Sequence, residues 1–580
     1  MAYPVPRGMV VSRYAFDAFV VDGARRQLLR DGMPVALSPR ALDALLLLLE
    51  RAGEQVDKGE LMQALWPHRV VEENNLNQAI SSLRRALGET PGQPRYILTV
   101  PGRGYRFVGP RPVSEAEPPR PLRAVAVLPL RCLGQADDAL SIGMADTLIT
   151  RLGSLGALNV RPLAAVRRFL GQEVEPLHAG RVLAVDAVLE GTVQALSGGL
   201  RANLRLHETA GGAPPWTAAV DAPAGDVFAL QDAVAGKVAS ALALRLDYEQ
   251  KLRLVRRHTG DLDAWRAHAL ARHALEQRSP TGLQQAVEHF NEALARDPDY
   301  ALAWVGLSDA YTIQGVFGAR PPTEVGPPAR AAALRALQLD AGLAEAHVVL
   351  GHARIQYERD WQGAEQAYRR ALELDPLCVI AHHRYAILLM TSGRTEASFE
   401  QIRRARELDP VSPPIAVTEG FLQHWAGEDA RAQATLLAVL ERDPHFWMAH
   451  AWLAQVQSAC GEPAMALASA RQAHALMGCP PASGLLAWAL AQASESAAAR
   501  EQLARLEDPQ AGYVPAYDIA QVHAALGDAD ALFEWLARAV AERSRHLDTL
   551  GVSPVMAPYR SDPRMAALLE AIGLGEQACR

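Results

Sequence analysis

Between Asn74 and Arg85, hydrogen-bonding side chains, among them Asn74, Asn77, Gln78, Ser81, Ser82, Arg84 and Arg85, stand off an apolar stripe made by Leu76, Ile80, Leu83 and Leu87. That stripe has the three-to-four residue spacing of an amphipathic helix, so the polar groups share its other face. Carboxamides and guanidiniums on one helix face match the donor and acceptor edges of bases, while hydroxyls and guanidiniums match phosphates. Glu72 and Glu73 stand at the helix start, where the dipole favours negative charge. The polar residues of such a helix also occur on merely solvated faces, so the elements around them have to decide.

Those elements are legible. After Gly88 comes a turn-rich run, then two short strands, Tyr96 to Val100 and Gly104 to Val108, joined by Pro101-Gly102-Arg103. This predicts a hairpin with an arginine at its tip. Upstream, apolar and polar residues alternate with turns at Asp22-Gly23 and Asp31-Gly32, the pattern of a small antiparallel sheet. Ser38 and Pro39 suit the cap and first position of a helix containing Leu42 to Leu49, and Asp57 opens a second helix running to Trp66.

The run LRRALG followed by RYILTVPGRGYRF resembles the winged-helix DNA-binding domain of OmpR-type transcriptional regulators, over residues 12–109. The resemblance implies that the helix of residues 73–87 enters a major groove and the hairpin touches the adjacent minor groove. By position it makes Asn77, Gln78 and Ser82 base-reading candidates, and Asn74, Ser81, Arg84, Arg85 and Arg103 backbone or minor-groove candidates. Relatives often carry arginine where Ser81 and Ser82 stand, a departure that lowers the expected phosphate attraction and makes affinity depend more on dimerisation.

Charge agrees with that assignment. Residues 1–110 hold 14 Lys and Arg against 11 Asp and Glu, a net of +3, whereas the 580-residue chain is −7, leaving −10 for the rest. A basic end on an acidic body implies that only the N-terminal part approaches double-stranded DNA. The composition, 49% hydrophobic and 21% charged, is that of folded domains. The apolar runs, Ala44 to Leu49 among them, are far shorter than the ~20 residues that span a bilayer, and no signal-peptide pattern opens the chain. No membrane partner and a cytoplasmic location are therefore expected. Five scattered cysteines (Cys132, Cys378, Cys460, Cys479, Cys579) form no CxxC pair and suggest reduced thiols.

From residue 264 the chain repeats. Helix-ending Asp-Pro pairs occur at 297–298, 375–376, 409–410 and 443–444, and small residues recur at Ala286, Ala329, Ala364, Ser398, Ala432 and Ala466, at intervals of 43, 35, 34, 34 and 34. The long interval reflects an insertion at 315–328. The pattern resembles tetratricopeptide (TPR) repeats, six of them, with further helical pairs and a capping segment to residue 580. Such arrays coil into superhelices that bind a peptide or another protein. The resemblance makes His352, His383, Arg384, His424, Trp452 and Gln455 the candidates for a partner-binding groove. His347, His382 and His450 fall at one equivalent core-edge position and read as packing groups, so no metal is expected.

Between these ends, after a Pro/Glu-rich linker (110–121), lies a third unit at 122–250. Ala124 to Leu130 reads as a buried strand, Asp137 to Leu155 as a helix, and Val182 to Val193 as a helix end entering a strand. Leu200 to Glu208 and Trp216 to Val220 read as further strands, and Asp226 to Leu246 as an amphipathic helix. Its AVLPL, LEGTV and FALQD segments are similar to TolB-N-like or cyclase-associated modules. No GxGxxG after a strand, GxxxxGK[ST], GxSxG or HExxH occurs, so neither catalytic residues nor a cofactor are expected. Too few residues precede residue 12 for a phospho-receiver domain.

The expected architecture is thus multidomain: an α+β winged helix-turn-helix, a small α/β domain, and an all-α TPR superhelix over 264–580. This is similar to the CadC- and HilA-like one-component regulators, without the transmembrane helix of the former. The expected partners are DNA, possible homodimerisation on it, and the transcription machinery or a peptide held by the repeats. Two other readings stay open: a TPR adaptor whose winged helix docks protein rather than DNA, and a ligand-sensing or catalytic α/β domain with DNA binding as its output.

Overall fold

Alternation of apolar and polar residues from Arg13 to Val35 produces four antiparallel strands, β1 (Arg13–Phe16), β2 (Phe19–Asp22), β3 (Gln27–Arg30) and β4 (Met33–Val35). The computed structural model describes residues 13–574 apart from 24–25, 32, 68–70, 91–92, 111–112, 116–121, 135–136, 157, 197, 211–213, 243–246, 509 and 511. Gly32, most of the expected linker, the end of the helix expected to reach Leu246, and Cys579 lie outside the described residues. The chain divides into two compact units, residues 1–121 and 122–580.

In the first unit, Ser38 accepts a hydrogen bond from the Ala41 N–H at 3.3 Å and Pro39 sets the first helical φ of α1 (Pro39–Glu50). There follow β5 (Gln55–Asp57), α2 (Lys58–Leu65), α3 (Glu73–Ala86), β6 (Ile97–Val100) and β7 (Gly104–Phe107). Phe16, Phe19, Tyr96 and Phe107 pack ring against ring at 5.1–6.4 Å and lock the opening sheet to the hairpin. Two short strands were not foreseen. β5 pairs with β7 and makes the hairpin a three-stranded sheet, β5-β7-β6. β8 (Val113–Glu115), inside the segment expected to be a linker, pairs with β1. Three residues are too few to carry a period-2 signal, and the unpaired edge of β1 supplies the template.

The second unit opens with β9 (Ala124–Val127), β10 (Arg131–Leu133), α4 (Asp138–Gly153), β11 (Asn159–Val160), α5 (Leu163–Val166), α6 (Pro176–Leu183), β12 (Ala187–Leu196), β13 (Gly199–Glu208), β14 (Trp216–Pro223), α7 (Val227–Ala241) and α8 (Tyr248–Leu254). The sheet order is β11-β9-β12-β13-β14, parallel on the β9 side and antiparallel through β13, with β10 beside β12. Helical pairs follow. They are α9 (Leu262–Glu276) and α10 (Pro280–Arg296), α11 (Ala301–Val316) and α12 (Pro322–Leu339), α13 (Ala344–Ala353) and α14 (Trp361–Leu374), then α15 (Val379–Thr391) and α16 (Thr395–Leu408). Next come α17 (Pro413–Trp425) and α18 (Asp429–Arg442), α19 (Trp447–Ala459) and α20 (Pro463–Met477), α21 (Pro480–Gln492) and α22 (Ser496–Glu507), then α23 (Ala516–Leu526) and α24 (Ala529–Glu542), with α25 (Pro563–Ala571) last.

The repeat signals have direct physical causes. Ala286, Ala329, Ala364, Ser398, Ala432 and Ala466 are fully buried, at the close approach of paired helices. Asp297, Asp375, Asp409 and Asp443 cap their helices in extended or near-extended backbone, a conformation that the proline after each favours. Trp304, His347, His382 and His450 occupy one repeat position, and a ring nitrogen of each lies 2.8–3.1 Å from the carbonyl six residues upstream. Each first helix is thereby fastened to the turn before it.

Two long-range closures depart from a simple open array. The C-terminal helices return to the early repeats: Arg545 donates to Val316 O at 3.0 Å and Trp361 Nε1 to Ile572 O at 2.9 Å, while Arg543 and Arg359 reach Tyr357 O and Val540 O. The α/β region is held at two places. Trp265 of α9 lies over Gly143 of α4, where a Cβ would come within 2.4 Å of the ring, and its Nε1 donates to Thr147 Oγ1 at 3.0 Å. On the far side Asn159 and buried Arg161 donate to Leu408 O, and Arg161 also holds Leu183 O and Ala184 O. Together these parts frame a half-open chamber of about 1890 Å³.

Candidate nucleic-acid interface

Leu76, Ala79, Ile80 and Leu83 bury the inner face of α3, which presents Asn74, Asn77, Gln78, Ser81 and Arg85 outward as exposed residues; Ser82 is half-buried. The Arg85 guanidinium holds no hydrogen bond or ion pair among the described residues. The turn beyond β6 brings in Arg103. Its N–H donates to Val100 O at 3.0 Å across Pro101-Gly102, with Gly102 at φ +73°, which is a type II turn and needs glycine there. Arg103 is exposed and its guanidinium is likewise unpaired among the described residues.

Two of the sequence candidates are committed to the protein. Arg84 donates to Ile97 O and Thr99 Oγ1, both at 2.8 Å, and its Nε lies 3.3 Å from Glu89 Oε2. It therefore fastens α3 to the hairpin instead of projecting beside Arg85. A three-carbon stem is long enough to turn inward from a half-buried position, a choice that sequence spacing does not reveal. Asn77 Oδ1 accepts the Tyr105 hydroxyl at 2.8 Å, which fixes the orientation of its amide.

Three supporting residues escaped the sequence reading. Tyr105 was visible only as an alternating strand residue. Burial raises its pKa, so it remains a hydroxyl donor. Glu89 accepts the backbone N–H groups of Arg95, Tyr96 and Ile97 on one oxygen. Lys58, at the start of α2, pairs with Glu73 at the start of α3; the hydrogen bond to Glu73 raises the lysine's pKa. Replacing Tyr105 with phenylalanine removes a single hydrogen bond, so thermal unfolding should show a loss of only ~0.5–1.5 kcal/mol. A larger loss would mean that the hydroxyl supports more than Asn77.

In the repeats, His352, His383, Arg384, Trp452 and Gln455 all line the chamber. His424 does not. It is 1% exposed, with Nδ1 2.5 Å from Asp429 Oδ1, because its position on α17 faces the following helix α18 rather than the interior space. Among the described residues no three His, Cys, Asp or Glu side chains converge as metal ligands, and no helix is long and apolar enough to cross a membrane.

Residues 32–107 match the family described as "Transcriptional regulatory protein, C terminal", and residues 268–317 and 350–413 match "Tetratricopeptide repeat". Transcriptional regulator HilA of Salmonella typhimurium is 24% identical over 435 residues, 73% of this chain and 75% of that protein. Transcriptional activator CadC of Escherichia coli is 33% identical over 93 residues, 16% of this chain and 18% of that protein. The solved DNA-binding domain of E. coli CadC is 30% identical, covers 18% of this chain and 97% of that one, and superposes with a TM-score of 0.17. With a winged helix of exposed polar face early in the sequence and repeats later in it, the chain is a DNA-binding transcriptional regulator that joins an OmpR/PhoB-type domain to tetratricopeptide repeats.

Proposed function

We propose that α3 enters the major groove, with Gln78, Asn77 and Ser82 addressing base edges and Asn74, Ser81, Arg85 and Arg103 the backbone or minor groove. The observation that carries this is the exposed polar row on α3 beside an unpaired wing arginine. Arg84 contributes indirectly, by setting the hairpin against the helix. The working units are the winged helix (12–109), the α/β region (122–250) and the repeat body (264–580). The protein acts in the cytoplasm and binds DNA as a homodimer, and the repeat body engages a protein partner or a second copy. Dimerisation would supply the phosphate contacts that Ser81 and Ser82 cannot.

The test is selection of genomic fragments by the full-length protein at two salt concentrations. Gln78→Ala should relax preference at one base position by ~1–3 kcal/mol. Arg85→Ala should weaken all DNA alike and flatten the salt slope by about one phosphate contact. Equal losses and equal slopes for both variants would refute this division of roles. No selection by the unmodified protein would favour a winged helix that docks protein.

A further inference from the structure

Arg384 of α15 is 8% exposed and pairs with Asp309 at 2.5 Å, yet its Nη1 is buried without a hydrogen-bond partner. His352 Nδ1 is buried in the same condition. Both side chains line the chamber, as does Arg278, whose guanidinium holds no hydrogen bond or salt bridge among the described residues. These groups sense one another. Burial first, then the positive charge of Arg384, pushes His352 and His383 far toward the neutral imidazole, and Arg278 adds to both shifts. Glu345 and Asp375, which share the surroundings of Cys378 with Arg384, are both shifted toward the neutral acid by burial. One corner of the chamber thus brings the Arg384 and Arg278 guanidiniums together with the His352 and His383 imidazoles, and only Arg384 among the four is paired with a carboxylate, Asp309. Buried donors left unmade cost free energy that an anion would recover.

An apolar wall begins beside that corner. His383 Nε2 lies 2.7 Å from Thr418 Oγ1, which ties α15 to α17. Phe421 and Trp425 follow Thr418 on the same face of α17, and Trp452 of α19 joins them, with ring centroids 4.6–5.6 Å apart. At 1.5 Å per residue the wall extends about 10 Å along α17. All three rings line the chamber. A concave, aromatic-walled space with a few convergent polar groups is the usual form of a small-molecule site.

We propose that this chamber binds a small amphipathic organic acid, its carboxylate held by Arg384, Arg278 and His352 and its apolar body lying on Phe421, Trp425 and Trp452. The repeat interior then serves as a ligand site rather than an open peptide groove. The volume leaves room for ordered water around such a ligand. Because every residue named lies in the unit from 122 onward, the site stands or falls independently of DNA reading.

Titration calorimetry on the full-length protein, without DNA, compares phenylbutyrate, phenylbutanol and inorganic phosphate as probes. Phenylbutyrate should bind, and the alcohol should bind at least about tenfold more weakly, as expected for losing a charge-assisted hydrogen bond. Arg278→Gln, which breaks no existing pair, should weaken phenylbutyrate about tenfold with no change in melting temperature. Trp452→Leu should weaken it while leaving phosphate unaffected. The proposal is overturned if the acid and alcohol bind equally, if phosphate binds as well as phenylbutyrate, if Arg278→Gln is silent, or if phenylbutyrate gives no heat at about 10 mM.

Discussion

Replacing Glu89 with alanine is expected to destabilise the winged-helix unit by about 3–5 kcal/mol, chiefly because three backbone N–H groups lose their acceptor at up to ~1–3 kcal/mol each. The carboxylate is 2% exposed. One oxygen takes the N–H groups of Arg95, Tyr96 and Ile97, at 3.1, 2.5 and 2.8 Å, and the other faces Arg84. Alanine would strand three backbone donors and a guanidinium at the point where α3 meets the hairpin. Domains of this size are held by only ~5–15 kcal/mol, so the loss approaches the whole margin. Hydrogen exchange on the full-length variant should show protection lost over residues 39–107 and kept over the repeats. Glu89→Gln, which retains acceptor oxygens for the backbone, should lose less. A change below about 1 kcal/mol for the alanine variant would show that the N–H groups find other partners.

The second large effect is expected at Trp265, where alanine should cost ~3–5 kcal/mol. Although it sits on the first repeat helix, Trp265 is 4% exposed and belongs to the core of the α/β region. Its ring fills the notch at Gly143 and meets Phe228 edge-on at 6.5 Å. The variant should lose exchange protection in α4 and α9 together. Trp304→Ala offers the control, because that indole is less buried and donates only to the adjacent turn. If the two substitutions proved equally mild, α4 and α9 would not be joined through this side chain.

What was legible from sequence was local or periodic. The stripe of Leu76, Ile80 and Leu83 gave the orientation of α3, Ser38-Pro39 gave the start of α1, Pro101-Gly102 gave the wing turn, and the alanine rows gave the repeat register. What was missed depended on contacts between distant residues. Nothing near Arg84 states that its guanidinium will find Ile97 O and Thr99, and nothing near Asn77 states that Tyr105 will orient its amide. β5 and β8 are strands only because β7 and β1 offer free edges. His424 shares its repeat with chamber residues, but a single step around the helix turns it toward Asp429. The chamber is the extreme case: the repeat period relates its walls on α15 and α17, but nothing periodic adds α4 of the α/β region to them.

The return of the C-terminal helices onto the early repeats changes how this body should fold. An open solenoid is nearly one-dimensional: each repeat feels only its neighbours, and the array can fray from an end without disturbing the middle. Here Trp361 and Val316 depend on residues 545 and 572 for hydrogen bonds. That joins positions about two hundred residues apart in the chain and raises the contact order of an otherwise local architecture. The repeats should therefore melt as one cooperative block, and loss of the final helices would be felt in the early repeats as well as at the end.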